Sequence, residues 1–313
     1  MTTSRQQSFQ IHGTSILREP IERLPLQDGT VLDGYWVRPE DKDAIHATLF
    51  LGHAMMVDCA VLDRPVGGGL ASHLASQGVA VAAINYRGHT TRGPYAGPNG
   101  YDWGYDDLVL TDTPEIVAWL REQMPDKPLF VGGHSLAGHV SLASLGLGLL
   151  GDVRGWVGFA ANIWGKRYES SRARWLLKRS NIELFARMIA WSGYFDTARW
   201  GMGYIAEAQT YLEDLIRYAR EDRWMSRDGE MDFEYAAMRV RVPVLFVTGD
   251  EDKLFGHVDG VKGFMRGVGS TQMHLHVRSA NGKSADHMGV VLHDVFANTW
   301  RSVGEWIVRQ AQA

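Results

Sequence analysis

Cysteine is almost missing from this 313-residue chain: Cys59 stands alone, which excludes a disulfide framework and any cysteine-based zinc cluster. A basic excess is missing too. Lys and Arg number 32 against 36 Asp and Glu, a net charge of −4, so there is no general field to hold nucleic acid or anionic lipid. No apolar run approaches the roughly 18 residues of a membrane span. The N-terminal MTTSRQQSFQ lacks the apolar centre of a signal peptide, so a soluble, cytoplasmic protein is expected. What is present is ordinary for a globular chain: 45% apolar and 22% charged residues. That argues against a disordered, collagen-like or coiled-coil chain. The length fits one large domain or two ordinary ones. Glycine is abundant at 35 residues, which favours many tight strand–helix turns.

Ile21 to Leu26 and Val31 to Val37 flank Asp28-Gly29 and read as a hairpin. Short apolar runs then alternate with segments able to hold helices: Ala47–Leu51, Val79–Ile84, Leu129–Gly132, Val153–Phe159, Val244–Val247 and Met273–Val277. They do not alternate strictly, as expected of strands covered by helices on both faces of a parallel sheet. Thr113-Pro114-Glu115 reads as a helix start, with Thr as N-cap and Pro at the first helical position. A final helix is expected over Val291 to Gln310. Residues 161–240 break the rhythm: no convincing strand, and 14 aromatics in 80 residues, five of them Trp. They read as a helical lid inserted into a core of residues 1–160 and 241–313.

The most informative stretch is Leu129-Phe130-Val131-Gly132-Gly133-His134-Ser135-Leu136-Ala137-Gly138, in which a strand runs into Gly-x-Ser-x-Ala and a helix of small residues. A serine at a sharp strand-to-helix turn has strained backbone angles, and bulky neighbours would collide there. The turn lifts Oγ above the sheet edge, where the first helical N–H groups can stabilise a negative oxygen. The five-residue pattern alone is weak; its context and downstream partners give it weight.

Serine needs a base to take its proton, and a histidine base needs an acid to fix its tautomer. The strand Val242–Val247 ends in Asp250-Glu251-Asp252, at the sheet edge where open α/β folds place their sites. Asp252 is favoured on its spacing from Gly249, with Asp250 and Glu251 as competitors. A polar loop then carries His287, which competes with His274, His276 and His293. His274 and His276 share a strand face and could ligate a metal, but no third ligand stands at suitable spacing, so no metal site is expected. Packing roles are expected for His134 and His139. Lys166 to Arg187 carries seven basic residues against two acidic ones and reads as a solvated helix face more readily than as a dock for an anion.

Taken together the chain resembles an α/β-hydrolase over nearly its whole length. Gly133-His134-Ser135-Leu136-Ala137-Gly138 resembles the nucleophile elbow, with Ala137 where glycine is commoner. Asn85-Tyr86-Arg87-Gly88-His89 is similar to the family's Asp-x-Arg-Gly-x-Gly, with Asn85 replacing aspartate. Gly249-x-x-Asp252 resembles the acid loop and Asp286-His287 the histidine loop, in the family's chain order Ser135, Asp252, His287. The resemblance implies a mostly parallel, doubly wound sheet of about eight strands with a helical cap. It also implies an oxyanion hole from the backbone N–H groups of Leu136 and Met55, with Ala54 N–H as the adjacent alternative. His53, Ala54, Met56, Trp164, Trp191 and Trp200 are candidates for the substrate pocket, with Trp175, Tyr194, Phe195 and Met202 as further lid and pocket residues.

The implied activity is a serine hydrolase cleaving a carboxylic ester or lactone of a bulky hydrophobic substrate through an acyl-enzyme on Ser135. It requires no metal or organic cofactor. A thioesterase or acyltransferase uses the same machinery, and a non-catalytic ligand-binding member of the fold stays open. Epoxide or haloalkane chemistry is disfavoured, because those branches usually place Asp where Ser135 stands. The expected partner is a small-molecule ester; the sequence does not fix the oligomeric state and leaves a homodimer open.

Overall fold

The computed structural model describes residues 6–89, 102–279 and 285–313, with the side chains of residues 191 and 192 excepted. Nine strands form the central sheet: β1 (Gln7–Ile11), β2 (Thr14–Pro25), β3 (Val31–Pro39), β4 (Ala47–Gly52), β5 (Val79–Ile84), β6 (Leu129–His134), β7 (Gly155–Phe159), β10 (Val244–Gly249) and β11 (Met273–Arg278). Their spatial order is β1-β2-β3-β5-β4-β6-β7-β10-β11. The pairings from β5 to β11 are parallel, and β1, β2 and β3 join as an antiparallel edge. The parallel strands β4, β5, β6, β7 and β10 are buried throughout, which explains their apolar composition, whereas β11 at the sheet edge is partly exposed. Side chains still alternate between two cores: Phe50 points into one, Leu49 and Leu51 into the other.

The described residues form ten α-helices: α1 (Leu70–Ala75), α2 (Tyr105–Asp107), α3 (Thr113–Gln123), α4 (Leu136–Gly146), α5 (Arg172–Ser192), α6 (Gln209–Glu221), α7 (Phe233–Arg239), α8 (Val258–Met265), α9 (Gly289–Leu292) and α10 (Ala297–Gln312). None of the described helices is long and apolar enough to cross a membrane.

Four local expectations are corrected. β1 was not foreseen, because its sequence is short, polar and mostly exposed; it is held by pairing to β2. Thr113 does not cap a helix. The chain is already helical at Asp112, arriving from α2 through a π-helical turn over Leu108–Asp112. The Thr113 N–H bonds five residues back to Leu108 O, and Pro114, which has no N–H to give, follows at once. The final helix is interrupted: His293 accepts from Val295 N and starts a 3₁₀ turn at Asp294–Phe296 between α9 and α10. Residues 161–240 do contain strands, a two-residue ribbon of β8 (Tyr194–Phe195) and β9 (Glu207–Ala208) beside α5, α6 and α7.

Close approach explains glycine at one decisive position. A Cβ on Gly132 would lie 1.9 Å from Val157 O on the neighbouring strand β7. Gly132→Ala is therefore expected to destabilise the fold by about 3 kcal/mol through overpacking. Urea unfolding measures it, and an unchanged midpoint would contradict this packing.

Candidate active site

Ser135 joins β6 to α4 with φ +49° and ψ −106°, outside the favoured regions for an L-residue. Its N–H is tied to Phe159 O at 2.8 Å. Small neighbours make this tolerable: a Cβ on Gly133 would lie 2.4 Å from Ala137 Cβ, and one on Gly138 would lie 2.4 Å from Ala161 Cβ. The Leu136 N–H, first of α4, has no acceptor among the described residues.

Asp252 follows β10 and is buried. Its carboxylate accepts from Phe255 N at 2.9 Å, Gly256 N at 2.7 Å and His287 Nδ1 at 2.7 Å. Burial opposes its charge, but these hydrogen bonds and the nearby imidazole hold its carboxyl below the ordinary value. The bond assigns the proton of His287 to Nδ1 and leaves the lone pair on Nε2. The competing acids turn elsewhere: Asp250 accepts from Ser279 Oγ, and Glu251 lies 3.5 Å from Lys253. The His287 ring packs between Phe255 (5.2 Å between centroids) and His134 (4.9 Å), the residue before Ser135. His134 donates Nε2–H to His287 O at 2.8 Å, and burial pushes its pKa down to about 3, which keeps a second positive charge away from His287. Ser135 Oγ itself makes no hydrogen bond to the described residues.

Between these groups and the segment containing α5 and α6 lies a narrow slot of about 830 Å³, its open mouth included. Ser135, Leu136, Met55 and Met56 all border it. The Met55 N–H, like that of Leu136, has no acceptor among the described residues. The loop carrying it is held rigidly. His53 donates Nδ1–H to Ala54 O at 2.7 Å and accepts at Nε2 from Tyr86 N at 3.1 Å. Met56 has φ +66°, its N–H is bound by Glu207, and its O accepts from Tyr204 N and Ile205 N.

A sequence profile of the Hydrolase_4 family, described as serine aminopeptidase S33, matches residues 66–280, more than half of the chain. The chain belongs to this α/β-hydrolase family. No curated protein matches the hydrolase. Among solved structures it is similar to an esterase of Pyrococcus furiosus (16% identity, TM-score 0.59, covering 95% of this chain and 91% of that one). It is also similar to Est1E of Butyrivibrio proteoclasticus, solved with ferulic acid bound (13%, 0.61, 94% and 100%). A third is a monoacylglycerol lipase of Paleococcus ferrophilus (13%, 0.53, 94% and 99%). At these identities the likeness carries the fold.

Of the hydrolase's expected pocket residues, Met56 and Trp164 line the cavity. His53 and Ala54 do not: both are buried behind the loop, and His53 spends both ring nitrogens holding the backbone. Trp200 is 56% exposed in a turn and is not part of the wall either. The side chain of Trp191 lies outside the described residues. Within the basic run, Arg174 and Lys178 pair with Glu169 and Arg167 with Glu234, while Arg172, Arg179 and Arg187 are exposed.

The sequence reading missed Glu207. Separated from Met56 by 151 residues, it leaves no local signal. Its carboxylate also lies 3.0 Å from His89 Nε2, while His89 Nδ1 faces Arg87 O at 3.1 Å. An acceptor facing each nitrogen favours the imidazolium form of His89. Burial alone would lower its pKa, but Glu207 outweighs that and raises it above the ordinary 6.5. Stability from a raised histidine is complete below the unfolded value of 6.5 and fades as pH climbs through the folded one. Urea midpoints measured from pH 6 to 9 should therefore decline more steeply in the parent protein than in His89→Gln. Equal slopes would contradict the charged pair.

Proposed function

We propose that the protein is a serine hydrolase that cleaves a carboxylic ester of a bulky, largely apolar substrate, with residues 161–240 acting as its lid. The observation that carries this reading is the Asp252–His287 hydrogen bond beside a strained Ser135, with two unpartnered backbone donors, Leu136 N–H and Met55 N–H, on residues that line the same slot. Ser135 Oγ attacks the ester carbonyl while His287 Nε2 takes its proton. Asp252 orients the ring and stabilises the imidazolium. Leu136 N–H and Met55 N–H hold the oxyanion, each worth roughly 3 kcal/mol in the transition state. The alcohol leaves with the proton returned by His287. Water activated by the same histidine then releases the acid.

The family description raises a peptide substrate with a free amino terminus. The cavity favours the ester: its described wall carries no Asp or Glu to pair with an ammonium group. The similarity of fold to esterases and a lipase adds weight to the same reading. Glu207 couples lid to chemistry, because the residue that fixes Met56 comes from the inserted segment.

A fluorophosphonate probe tests the proposal. Stoichiometric covalent labelling is expected, located at Ser135 by peptide mass analysis and blocked by excess of an ester substrate. A folded protein that takes up no label would overturn the enzymatic reading in favour of a ligand-binding protein.

A further inference from the structure

Apart from Ser135, Asn162 and the Trp164 indole, the polar side chains that border the slot are His139, Tyr211 and Tyr218. His139 lies four residues beyond Ser135 on α4, one turn further and about 6 Å along the helix. It borders the cavity, and its Nδ1 lies 2.8 Å from Tyr105 Oη. That oxygen also accepts from Trp224 Nε1 at 3.2 Å. An indole N–H can only donate, and His139 Nδ1 is the one described acceptor for the buried Tyr105 hydroxyl proton, so satisfying that proton directs it to His139 Nδ1. The chain Trp224 to Tyr105 to His139 therefore fixes one tautomer: His139 Nδ1 accepts, and Nε2 carries the hydrogen. No described residue accepts from Nε2. Burial pushes the His139 pKa down to about 3, so the ring is a neutral donor throughout the working range.

Tyr211 and Tyr218 add to this. They lie seven residues apart on one face of α6, and both border the cavity. Both are buried, and neither hydroxyl has a partner. The Tyr218 and His139 rings pack against the Tyr105 ring, at 5.3 and 5.6 Å between centroids. Hydrogen-bonding groups buried without partners are costly and uncommon, so a site that keeps several beside an open slot is shaped for a ligand atom that completes them. No Lys or Arg stands in the described wall to neutralise an anion.

We propose that His139, Tyr211 and Tyr218 form a recognition subsite for an uncharged oxygen of the substrate, a ketone, ether or hydroxyl about 6 Å from the scissile carbonyl. This deepens the ester-hydrolase reading and rests on it. The substrate class becomes a neutral, mostly apolar ester with a second oxygen function in whichever half enters the slot. Tyr105 and Trp224 are positioning residues, acting through the tautomer of His139.

The test compares matched esters. On the acyl side these are the methyl esters of 5-oxohexanoic and 5-methylhexanoic acids and the monomethyl ester of glutaric acid. On the alcohol side they are the acetates of 4-oxopentanol and 4-methylpentanol. In one series kcat/KM for the oxo ester should exceed that of its methyl analogue about tenfold, the worth of one well-made neutral hydrogen bond. The carboxylate ester should be the poorest of its series. In Tyr218→Phe and Tyr211→Phe, which each lose one oxygen atom, and in His139→Leu, the oxo-to-methyl ratio should fall toward one. Equal rates for both members of both series, or a ratio unmoved by these variants, would overturn the subsite.

A second measurement needs no turnover. The ¹⁵N spectrum of the parent protein should show His139 protonated at Nε2, and 2-hexanone should shift that resonance. A proton on Nδ1, or no response to the ketone, would overturn the subsite. If no ester is cleaved yet the ketone moves the resonance, the hydrolytic reading fails and the subsite stands.

Discussion

Ser135→Ala is expected to lower kcat for any ester the protein cleaves by about 10⁴- to 10⁶-fold, leaving the fold intact. The proposed chemistry needs an oxygen at the tip of the elbow, and no neighbouring hydroxyl can replace it: Ser141 Oγ donates to Ala137 O, and Ser144 Oγ to Val109 O. Alanine fits the site, since Ser135 Oγ makes no hydrogen bond there and the backbone at φ +49° strains either residue alike. The unfolding free energy should therefore move by less than about 1 kcal/mol. Circular dichroism and urea unfolding check the fold, and initial rates at saturating ester check the chemistry. Turnover within tenfold of the parent would remove Ser135 from the mechanism.

His287→Ala should cost a comparable factor, about 10⁴ to 10⁶ in kcat. Other histidines nearby cannot take over. His134 holds a backbone carbonyl through Nε2 and is pushed far into the neutral range by burial. His139 has its Nδ1 engaged by Tyr105, and by the tautomer argument its Nε2 carries a proton and cannot accept one. His293 lies 3.0 Å from Asp294 at the start of a 3₁₀ turn. Near-normal turnover in His287→Ala, with loss in His293→Ala, would reassign the base. Asp252 gives an independent check on the same pair. Its depressed carboxyl contributes stability that is present above the ordinary value of 3.8 and lost as pH falls through the folded one. Without His287 that contribution shrinks, so His287→Ala should lose less stability on acidification than the parent.

The parts of the site legible in the sequence are those carried by local pattern. A buried strand ending in two glycines, a serine and a run of small residues has few ways to turn, and the turn it makes is the strained elbow at Ser135. Asp252 was readable because it closes a buried strand at a fixed distance from Gly249. Unbroken apolar runs announced a parallel sheet, since its inner strands β4, β5, β6, β7 and β10 are buried on both faces.

What the sequence by itself determined is thus the class of sheet and the strained turn at Ser135, because each depends on neighbours a few residues away, while the triad roles of Asp252 and His287 stay part of the proposal. Tertiary structure alone decided the rest. Which of three adjacent acids meets His287 follows from how the loop after β10 folds onto its own N–H groups. That His53 supports backbone instead of facing the slot follows from Tyr86 reaching it across strands. The brace from Glu207 to Met56 and the proton chain from Trp224 through Tyr105 to His139 join residues far apart in the chain. No periodicity or motif encodes them; they exist only once two helical layers have closed over the sheet.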